Sequence, residues 1–117
     1  MLPHHGTIVV GADNRIGNYA LINVCTCITQ AKTIIGDGLF MGTGAVISGH
    51  HILRDNVIVC ANAVVTKDSD ISNITIGGVP AKILRPNSTV WYKSLWPEWE
   101  ERVQKIEELR KQLGLNI

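Results

Sequence analysis

Apolar residues recur at every sixth position through the middle of the chain. The spacing is unbroken over Ile35, Met41, Ile47, Leu53, Val59 and Val65. An α-helix has a period of about 3.6 residues and a flat strand a period of about two, so neither element explains this spacing. Short strands wound into a parallel coil do explain it, because the apolar residue of each strand then points into one shared core. The pattern therefore predicts a parallel β-helix.

Tight turns are predicted three positions after each of these apolar residues. Those positions hold Gly38, Gly44, His50, Asn56, Asn62 and Asp68. Glycine adopts positive φ without steric cost, and Asn, Asp and His adopt it more readily than most residues do. Two positions before the apolar residue, the side chain is mostly small or β-branched, as at Ala45, Val57 and Ala63. We therefore expect each strand to end in a turn of this kind.

The same period continues in a weaker form on both sides of this stretch. Before Ile35 it falls on His4, Val10, Ile16, Ile22 and Ile28, with Asp13, Tyr19 and Cys25 at turn positions. Ile28 and Ile35 are seven residues apart, so a small loop is expected within residues 29–33. After Val65 the period reaches Ile71 and then loosens before a turn-rich exit at residues 77–82. Three apolar positions per coil predict about four coils.

A C-terminal α-helix is predicted over residues 97–113. Pro97 suits its first position and Gly114 the position just after its end. Its apolar residues share one face and are Trp99, Val103, Ile106, Leu109 and Leu113. A helix with one apolar stripe must bury it, and we expect the side of its own coil or a neighbouring subunit to cover it. Residues 1–86 are the predicted β-helix domain, and residues 87–117 are a linker and this amphipathic helix.

Charge and cysteine content argue against several classes of function. The formal net charge of +1 gives no reason to expect nucleic acid or an anionic membrane as a partner. No apolar run approaches the roughly 18 residues of a membrane span, and no signal peptide is recognisable. The three cysteines, Cys25, Cys27 and Cys60, have neither CxxC nor zinc-ligand spacing. We therefore expect reduced thiols, a cytoplasmic location and no metal.

Three runs of sequence resemble the hexapeptide-repeat acyltransferases. They are Ile35-Gly36-Asp37-Gly38 with Met41-Gly42-Thr43-Gly44-Ala45, then Ala61-Asn62-Ala63-Val64-Val65-Thr66-Lys67-Asp68, then Gly78-Val79-Pro80-Ala81-Lys82. The resemblance covers roughly residues 3–86. It implies a left-handed parallel β-helix that uses acetyl-CoA and assembles as a homotrimer with active sites between subunits.

The N-terminal run Pro3-His4-His5-Gly6-Thr7-Ile8-Val9-Val10 resembles the catalytic strand of the serine O-acetyltransferase branch, which includes related capsule-sugar enzymes. In that branch a histidine stands four residues before the Ile-Val-Val run, and His4 has this spacing. The resemblance thus implies that His4 is the general base. A neutral imidazole suits this role, because its ordinary pKa of about 6.5 lies close to cytosolic pH. Strand alternation sends the rival base, His5, to the opposite face.

Two departures from the serine enzymes bear on the acceptor. Those enzymes have Asp before the catalytic His, where this chain has Pro3, and a loop whose His and Arg hold the serine carboxylate. The matching loop here, residues 29–33, contains neither residue. A sugar hydroxyl is therefore favoured over serine as the acceptor. Two alternatives stay open: a catalytically silent trimeric scaffold and a nucleotide-sugar N-acetyltransferase.

The resemblance also implies where acetyl-CoA binds. Its pantetheine arm would lie in a groove lined by Thr43 and Ala61, which are eighteen residues apart and so lie on adjacent coils. Gly44 and Asn62 follow them in sequence and border the same groove. Lys67 and Lys82 would meet the phosphates as point charges. We expect structural roles for His50 and His51, because the first is at a turn position and the second faces the coil.

Overall fold

The computed structural model describes residues 6–92 and 97–114, apart from the side chains of residues 97–100. The strands of this part of the chain form three sheets. The first sheet contains β1 (Ile8–Val10), β4 (Thr26–Ile28), β7 (Val46–Ile47) and β10 (Val64–Val65). The second contains β2 (Arg15–Ile16), β5 (Ile34–Ile35) and β8 (Ile52–Leu53). The third contains β3 (Leu21–Ile22), β6 (Phe40–Met41), β9 (Val57–Val59), β11 (Ile74–Gly77) and β12 (Lys82–Arg85).

The chain passes through the three sheets in turn and makes about four coils. Each strand pairs in parallel with the strand one coil further on, as β1 does with β4 and β6 with β9. The exception is β12, which pairs antiparallel with β11 at the end of the third sheet. The predicted parallel β-helix of about four coils is therefore confirmed.

The six-residue period produces the core. Its central members, from Ile35 to Val65, are at most 3% exposed. Register explains why: Ile28 pairs with Ile47, and Met41 pairs with Val59, so equivalent apolar side chains stack from coil to coil. The small residues Ala45 and Ala63 are also fully buried. A narrow stack of aliphatic side chains thus replaces the broad aromatic core of many domains.

The predicted loop at residues 29–33 contains the extra residue of the second coil. Ile16 pairs with Ile35, nineteen residues later, whereas Val10 pairs with Ile28, eighteen residues later. Within the loop Lys32 has a φ of 56° and Thr33 is buried. One residue is thus accommodated without disturbing the stack.

The period does not continue to Ile71, so that prediction is wrong. Ile71 is 54% exposed, and Ser69 instead bridges to Leu53 of the preceding coil. The fourth coil is shorter here, and Ile74 and Ile76 take the core positions beside Val57 and Val59. The β11–β12 hairpin that follows was not predicted.

Most of the predicted turn positions have positive φ, including Asp13, Tyr19 and Cys25 in the weaker part of the pattern. Two do not. At His50 the left-handed residue is its neighbour Gly49, with a φ of 88°, because glycine adopts this conformation without a Cβ penalty. At Asp68 the turn uses the side chain: Ile52 N–H donates to Asp68 Oδ1 at 3.0 Å. A side-chain acceptor there replaces a left-handed backbone turn.

Residues 88–92 attach the end of the coil to its outer surface. Ser88 N–H donates to Asn73 O at 2.7 Å, and Trp91 Nε1–H donates to Gly38 O at 2.8 Å. The rings of Tyr19 and Tyr92 stack with centroids 4.3 Å apart. These contacts direct the chain toward the second sheet, where the C-terminal helix lies.

The helix α1 (Pro97–Gln112) confirms the prediction of a C-terminal helix. Gly114 follows it with a φ of 71°, and its N–H donates to Lys111 O. The helix approaches the coil through a polar residue, since Asn18 Nδ2–H donates to Glu107 Oε1 at 2.9 Å. Its apolar residues Ile106, Leu109 and Leu113 are 50–67% exposed. The coil of the same chain therefore leaves these three residues of the apolar stripe uncovered.

Among the described residues, the helical segments fall short of the length and apolarity that a membrane span requires.

Candidate functional site

Three columns of turns run along the solenoid, and each joins two sheets. The glycine corner joins the third sheet to the first and consists of residues 23–25, 42–45 and 60–63. The histidine corner joins the first sheet to the second and consists of residues 29–33, 48–51 and 66–68. The aspartate corner joins the second sheet to the third and consists of residues 17–20, 36–39 and 54–56. The predicted site residues divide among these columns.

The glycine corner brings together Thr43, Gly44, Ala61 and Asn62. Asn62 N–H donates to Thr43 O at 3.0 Å, so the two turns lie on adjacent coils in direct contact. Thr43, Ala61 and Asn62 are exposed, and Gly44 is half-buried between them. A ligand can therefore approach this column of turns from solvent.

Gly44 keeps the groove at this corner shallow and open. Its φ is 78°, which is unfavourable for any residue with a Cβ. A Cβ built on Gly44 would also collide with Asn62 Oδ1 of the next coil. The backbone conformation thus favours glycine here, and a larger residue would displace the Asn62 side chain.

Two backbone donors at this corner are available to a ligand. Within residues 6–92 and 97–114, no group accepts a hydrogen bond from Thr43 N–H or Ala61 N–H. The surrounding turn amides are engaged, as Gly44 N–H donates to Val24 O and Asn62 N–H to Thr43 O. Donors repeated on adjacent coils suit an extended ligand that carries amide carbonyls along its length.

The two predicted lysines lie at different places. Lys82 begins β12 and follows Ala81, whose N–H donates to Val64 O at 2.8 Å, just after the glycine corner. Lys67 lies at the histidine corner, on the other side of the first sheet. Both are exposed. The structure thus brings Lys82, but not Lys67, near the four groove residues.

The histidine corner contains a hydrogen-bonded set of polar side chains. His51 Nδ1 lies 3.1 Å from Asp68 Oδ1, and His51 Nε2 lies 2.5 Å from Ser48 O. His50 Nδ1 contacts Ala31 O at 2.9 Å. The Ile52 backbone N–H, and next the hydrogen bond with His51, lower the pKa of Asp68 below its ordinary value. These contacts join adjacent coils, which is a structural role for both histidines.

The predicted general base, His4, lies outside the described residues. Of the cysteines, Cys25 is exposed at the glycine corner, and Cys27 and Cys60 are half-buried. The described histidines, His50 and His51, belong to another corner than Cys25. In the part of the chain that the structure describes, no cluster of three metal-ligating side chains is found. The four groove residues, Thr43, Gly44, Ala61 and Asn62, thus offer a ligand backbone groups and small uncharged side chains.

The sequence did not reveal the free N–H groups of Thr43 and Ala61. Hydrogen-bond partners of turn amides depend on the position of the neighbouring coil, which the six-residue period does not specify.

Comparisons with known proteins agree with the β-solenoid fold. No family model matches the chain. Serine acetyltransferase (CysE) of Neisseria gonorrhoeae in complex with serine is similar with a TM-score of 0.63 and 32% identity, over 70% of this chain and 36% of that chain. This chain thus spans about a third of that enzyme.

A hexapeptide-repeat acetyltransferase from Vibrio cholerae O1 biovar eltor, complexed with acetyl-coenzyme A, is similar with a TM-score of 0.53 and 20% identity. The similarity covers 76% of this chain and 68% of that one, and at this identity it concerns the fold. The predicted resemblance is confirmed: the chain is a hexapeptide-repeat β-solenoid that resembles the acetyltransferases of the serine acetyltransferase kind.

Proposed function

We propose that the protein is an acetyltransferase that moves the acetyl group of acetyl-CoA to a hydroxyl acceptor. The observation that carries the proposal is the glycine corner, where exposed N–H donors of Thr43 and Ala61 lie on adjacent coils. Similarity at 32% identity to a serine acetyltransferase supports the same reaction class. So does a neighbour of the same fold that is complexed with acetyl-coenzyme A.

Each groove residue has a role in holding the donor. Backbone N–H groups of Thr43 and Ala61 donate to the amide carbonyls of the pantetheine arm. Gly44 has no side chain to obstruct the arm, and Asn62 borders it. Lys82 attracts the phosphates from the end of the groove, whereas Lys67 lies at the histidine corner and is not given this role. Small residues thus provide shape, while Lys82 provides charge.

The transfer step needs one base and one oxyanion site. His4 takes the proton from the acceptor hydroxyl as its oxygen bonds to the thioester carbonyl carbon. The carbon–sulfur bond then breaks, and the thiolate of CoA receives that proton from the imidazolium. Backbone N–H groups stabilise the tetrahedral oxyanion in between. Direct transfer of this kind requires no acylated cysteine.

The acceptor is proposed to be a sugar hydroxyl in preference to serine. The loop at residues 29–33 is short and turned toward the next coil: Thr33 Oγ1 donates to Gly49 O at 2.9 Å. Thr29 Oγ1 accepts from Gly49 N–H at 3.1 Å. Lys32 is the one charged residue of this loop, and the histidine and arginine that hold the serine carboxylate in the resembled enzymes are both missing from it. The proposal of a sugar rests on that difference.

The protein is further proposed to act as a cytoplasmic homotrimer with its sites between subunits. The three cysteines are free thiols, which fits a reducing compartment. The exposed apolar stripe of α1 supports assembly, because monomers rarely leave such a surface uncovered.

Replacement of the proposed base tests the mechanism. His4→Ala should lower the rate of acetyl transfer by about 10²–10⁴-fold, the usual size of a general-base contribution. Acetyl-CoA affinity should hardly change, because the imidazole acts on the acceptor. The measurement is CoA thiol release with serine, hydroxyl sugars and amino sugars, next to calorimetric titration of acetyl-CoA.

His5→Ala is the matched control and should cost much less activity. Full activity of His4→Ala on the best acceptor would contradict the proposed base. Turnover confined to amino sugars would indicate N-acetylation, and acetyl-CoA binding without turnover on any acceptor would indicate a silent scaffold.

A further inference from the structure

A groove of about 790 Å³ lies between the second sheet and the C-terminal helix. The second sheet forms one wall through β2 and β5, and the last turns of α1 form the other. The second sheet is the face opposite the glycine corner, which joins the other two sheets. This groove is therefore separate from the proposed acetyl-CoA site, and its volume is that of an ordinary small-molecule site.

Three cations line the groove, and they come from two elements. Arg15 belongs to β2, and Arg110 and Lys111 belong to the last turn of α1. Among the described residues, none of the three makes an ion pair or a hydrogen bond through its side chain. Arg110 is half-buried, whereas Arg15 and Lys111 are exposed. A guanidinium without a carboxylate partner can bind an oxyanion through charged hydrogen bonds.

The two carboxylates of the groove are already engaged. Asp37 Oδ1 accepts the backbone N–H of Asn18 at 2.7 Å. Glu107 Oε1 accepts the side-chain amide of Asn18 at 2.9 Å. These contacts fix the helix against the aspartate corner at one end of the groove. Both donors are neutral, so the two carboxylates keep their charge, and three cations against two anions leave the groove lining with a formal charge of +1.

An apolar surface lies beside the cations. Arg15 pairs with Ile34 across the sheet, and Ile34 is 45% exposed although it lies in a strand. Ile16 is half-buried and packs against the core below. An oxyanion bound by the arginines would therefore have an apolar surface next to it.

We propose that this groove binds a small organic anion, with an oxyanion headgroup between Arg15 and Arg110 and an apolar body on Ile34. The planar guanidinium donates two parallel hydrogen bonds to either a carboxylate or a phosphate. Lys111 adds a third positive charge. The ligand would join β2 to α1, so its binding also holds the helix on the coil.

The test is a titration of the full chain with phenyl phosphate, benzoate and inorganic phosphate, followed by backbone amide NMR. We expect saturable shifts at Gly17 and Asn18, with Thr43 and Asn62 unaffected. Tighter binding of phenyl phosphate would identify a phosphate ester as the ligand class, and tighter binding of benzoate a carboxylate. Absence of saturation with all three probes would overturn the proposal.

Arg15→Gln and Arg110→Gln should each weaken the bound probe about tenfold, the loss expected for one charged hydrogen-bonding partner. Arg102→Gln is the matched control, because Arg102 is on the same helix outside the groove lining. Ile34→Ser should weaken phenyl phosphate while leaving inorganic phosphate unchanged. Equal affinities in Arg15→Gln, Arg110→Gln and the unmodified chain would contradict the site.

Arg110→Lys is a conservative variant that tests the site even if Arg110→Gln fails to fold. It retains the charge but not the planar fork, so circular dichroism should be unchanged and affinity intermediate. Affinity equal to that of the unmodified chain would mean that the groove attracts anions without the proposed headgroup contact.

Discussion

The solenoid core and the C-terminal helix both have a regular apolar pattern, yet only the core is buried. Ile47 in β7 is fully buried, whereas Leu109 in α1 is 58% exposed. In the coil, each apolar residue pairs with its own repeat one coil away, so the chain supplies the partner. The helix occurs once in the chain, so no second copy of it is present to cover its apolar face. An apolar period therefore predicts that a face will be buried, but it identifies the partner only where the same unit is repeated along the chain.

Polar contacts determine which side of the helix meets the coil. Asn18 donates to Glu107, and Arg110 and Lys111 line the groove beside it. Ile106 and Leu113 are left exposed to solvent in the single chain. Glu107 and Lys111 have the i,i+4 spacing of a helical ion pair, but Glu107 is hydrogen-bonded to Asn18, which lies far away in sequence.

The largest effect is expected from truncation of a core residue. Ile47→Ala should lower the free energy of unfolding by about 2–5 kcal/mol, because it removes buried methyl groups and leaves a cavity. Ile34→Ala is the matched control in β5 of the second sheet, where the side chain is 45% exposed. Chemical denaturation of both variants measures the difference.

Ile34→Ala should lower the free energy of unfolding by well under half as much as Ile47→Ala does. Equal losses in Ile47→Ala and Ile34→Ala would contradict the contrast between inward and outward positions of the coil.

The next effect is expected at the glycine corner. Gly44→Val places a β-branched residue at a φ of 78°, which costs about 1–3 kcal/mol before the collision with Asn62 is counted. The melting temperature should fall, and acetyl-CoA should bind more weakly because the groove is obstructed.

Thr43→Val is the control for Gly44→Val, since Thr43 is exposed at the same turn and lacks positive φ. It should leave the melting temperature nearly unchanged. An unaltered melting temperature and acetyl-CoA affinity in Gly44→Val would refute the turn and the groove together.

A third prediction concerns the uncovered helix face. The protein should sediment at micromolar concentration as a homotrimer of about three times its 12.8 kDa. Leu109→Lys should shift the distribution toward monomer, because it places a charge within the apolar stripe. Gln104→Lys adds the same charge at an exposed polar position and should not. A monomer of the unmodified chain would contradict the trimer.

The residues of the coil show how far sequence carries the fold. Ile35 and Met41 could be assigned to the core because a six-residue period has one structural solution. His50 and Ile71 could not be assigned correctly, since each depends on a local choice between competing residues. Gly49, rather than His50, has the positive φ of that turn. In the shortened fourth coil, Ile74 and Ile76 are buried in the core and Ile71 is exposed.

The candidate sites were less accessible to sequence reasoning than the fold. Thr43 and Ala61 could be placed on adjacent coils from their spacing of eighteen, but their unpartnered N–H groups depend on three-dimensional detail. The groove at Arg15 and Arg110 combines a strand with a helix nearly a hundred residues later. No periodic signal relates such positions.

The smallest effect is expected at the coil surface, where Asp68 joins two coils. The folded state lowers the pKa of Asp68 through the Ile52 N–H and then His51, so folding favours its ionised form. A carboxylate with a lowered pKa stabilises the fold above its unfolded pKa of about 3.9, and this stabilisation is lost as pH falls through the lower folded value.

Asp68→Asn keeps an acceptor oxygen but removes the charge. Its melting temperature should therefore fall slightly below that of the unmodified chain at pH 7, and the two should converge as pH falls below about 3.9. Asp70→Asn removes the same charge at an exposed position of the same coil and is the control for the change in net charge alone. A difference between Asp68→Asn and the unmodified chain that stays constant down to pH values well below 3.9 would mean that the charge of Asp68 does not act in the contact between coils.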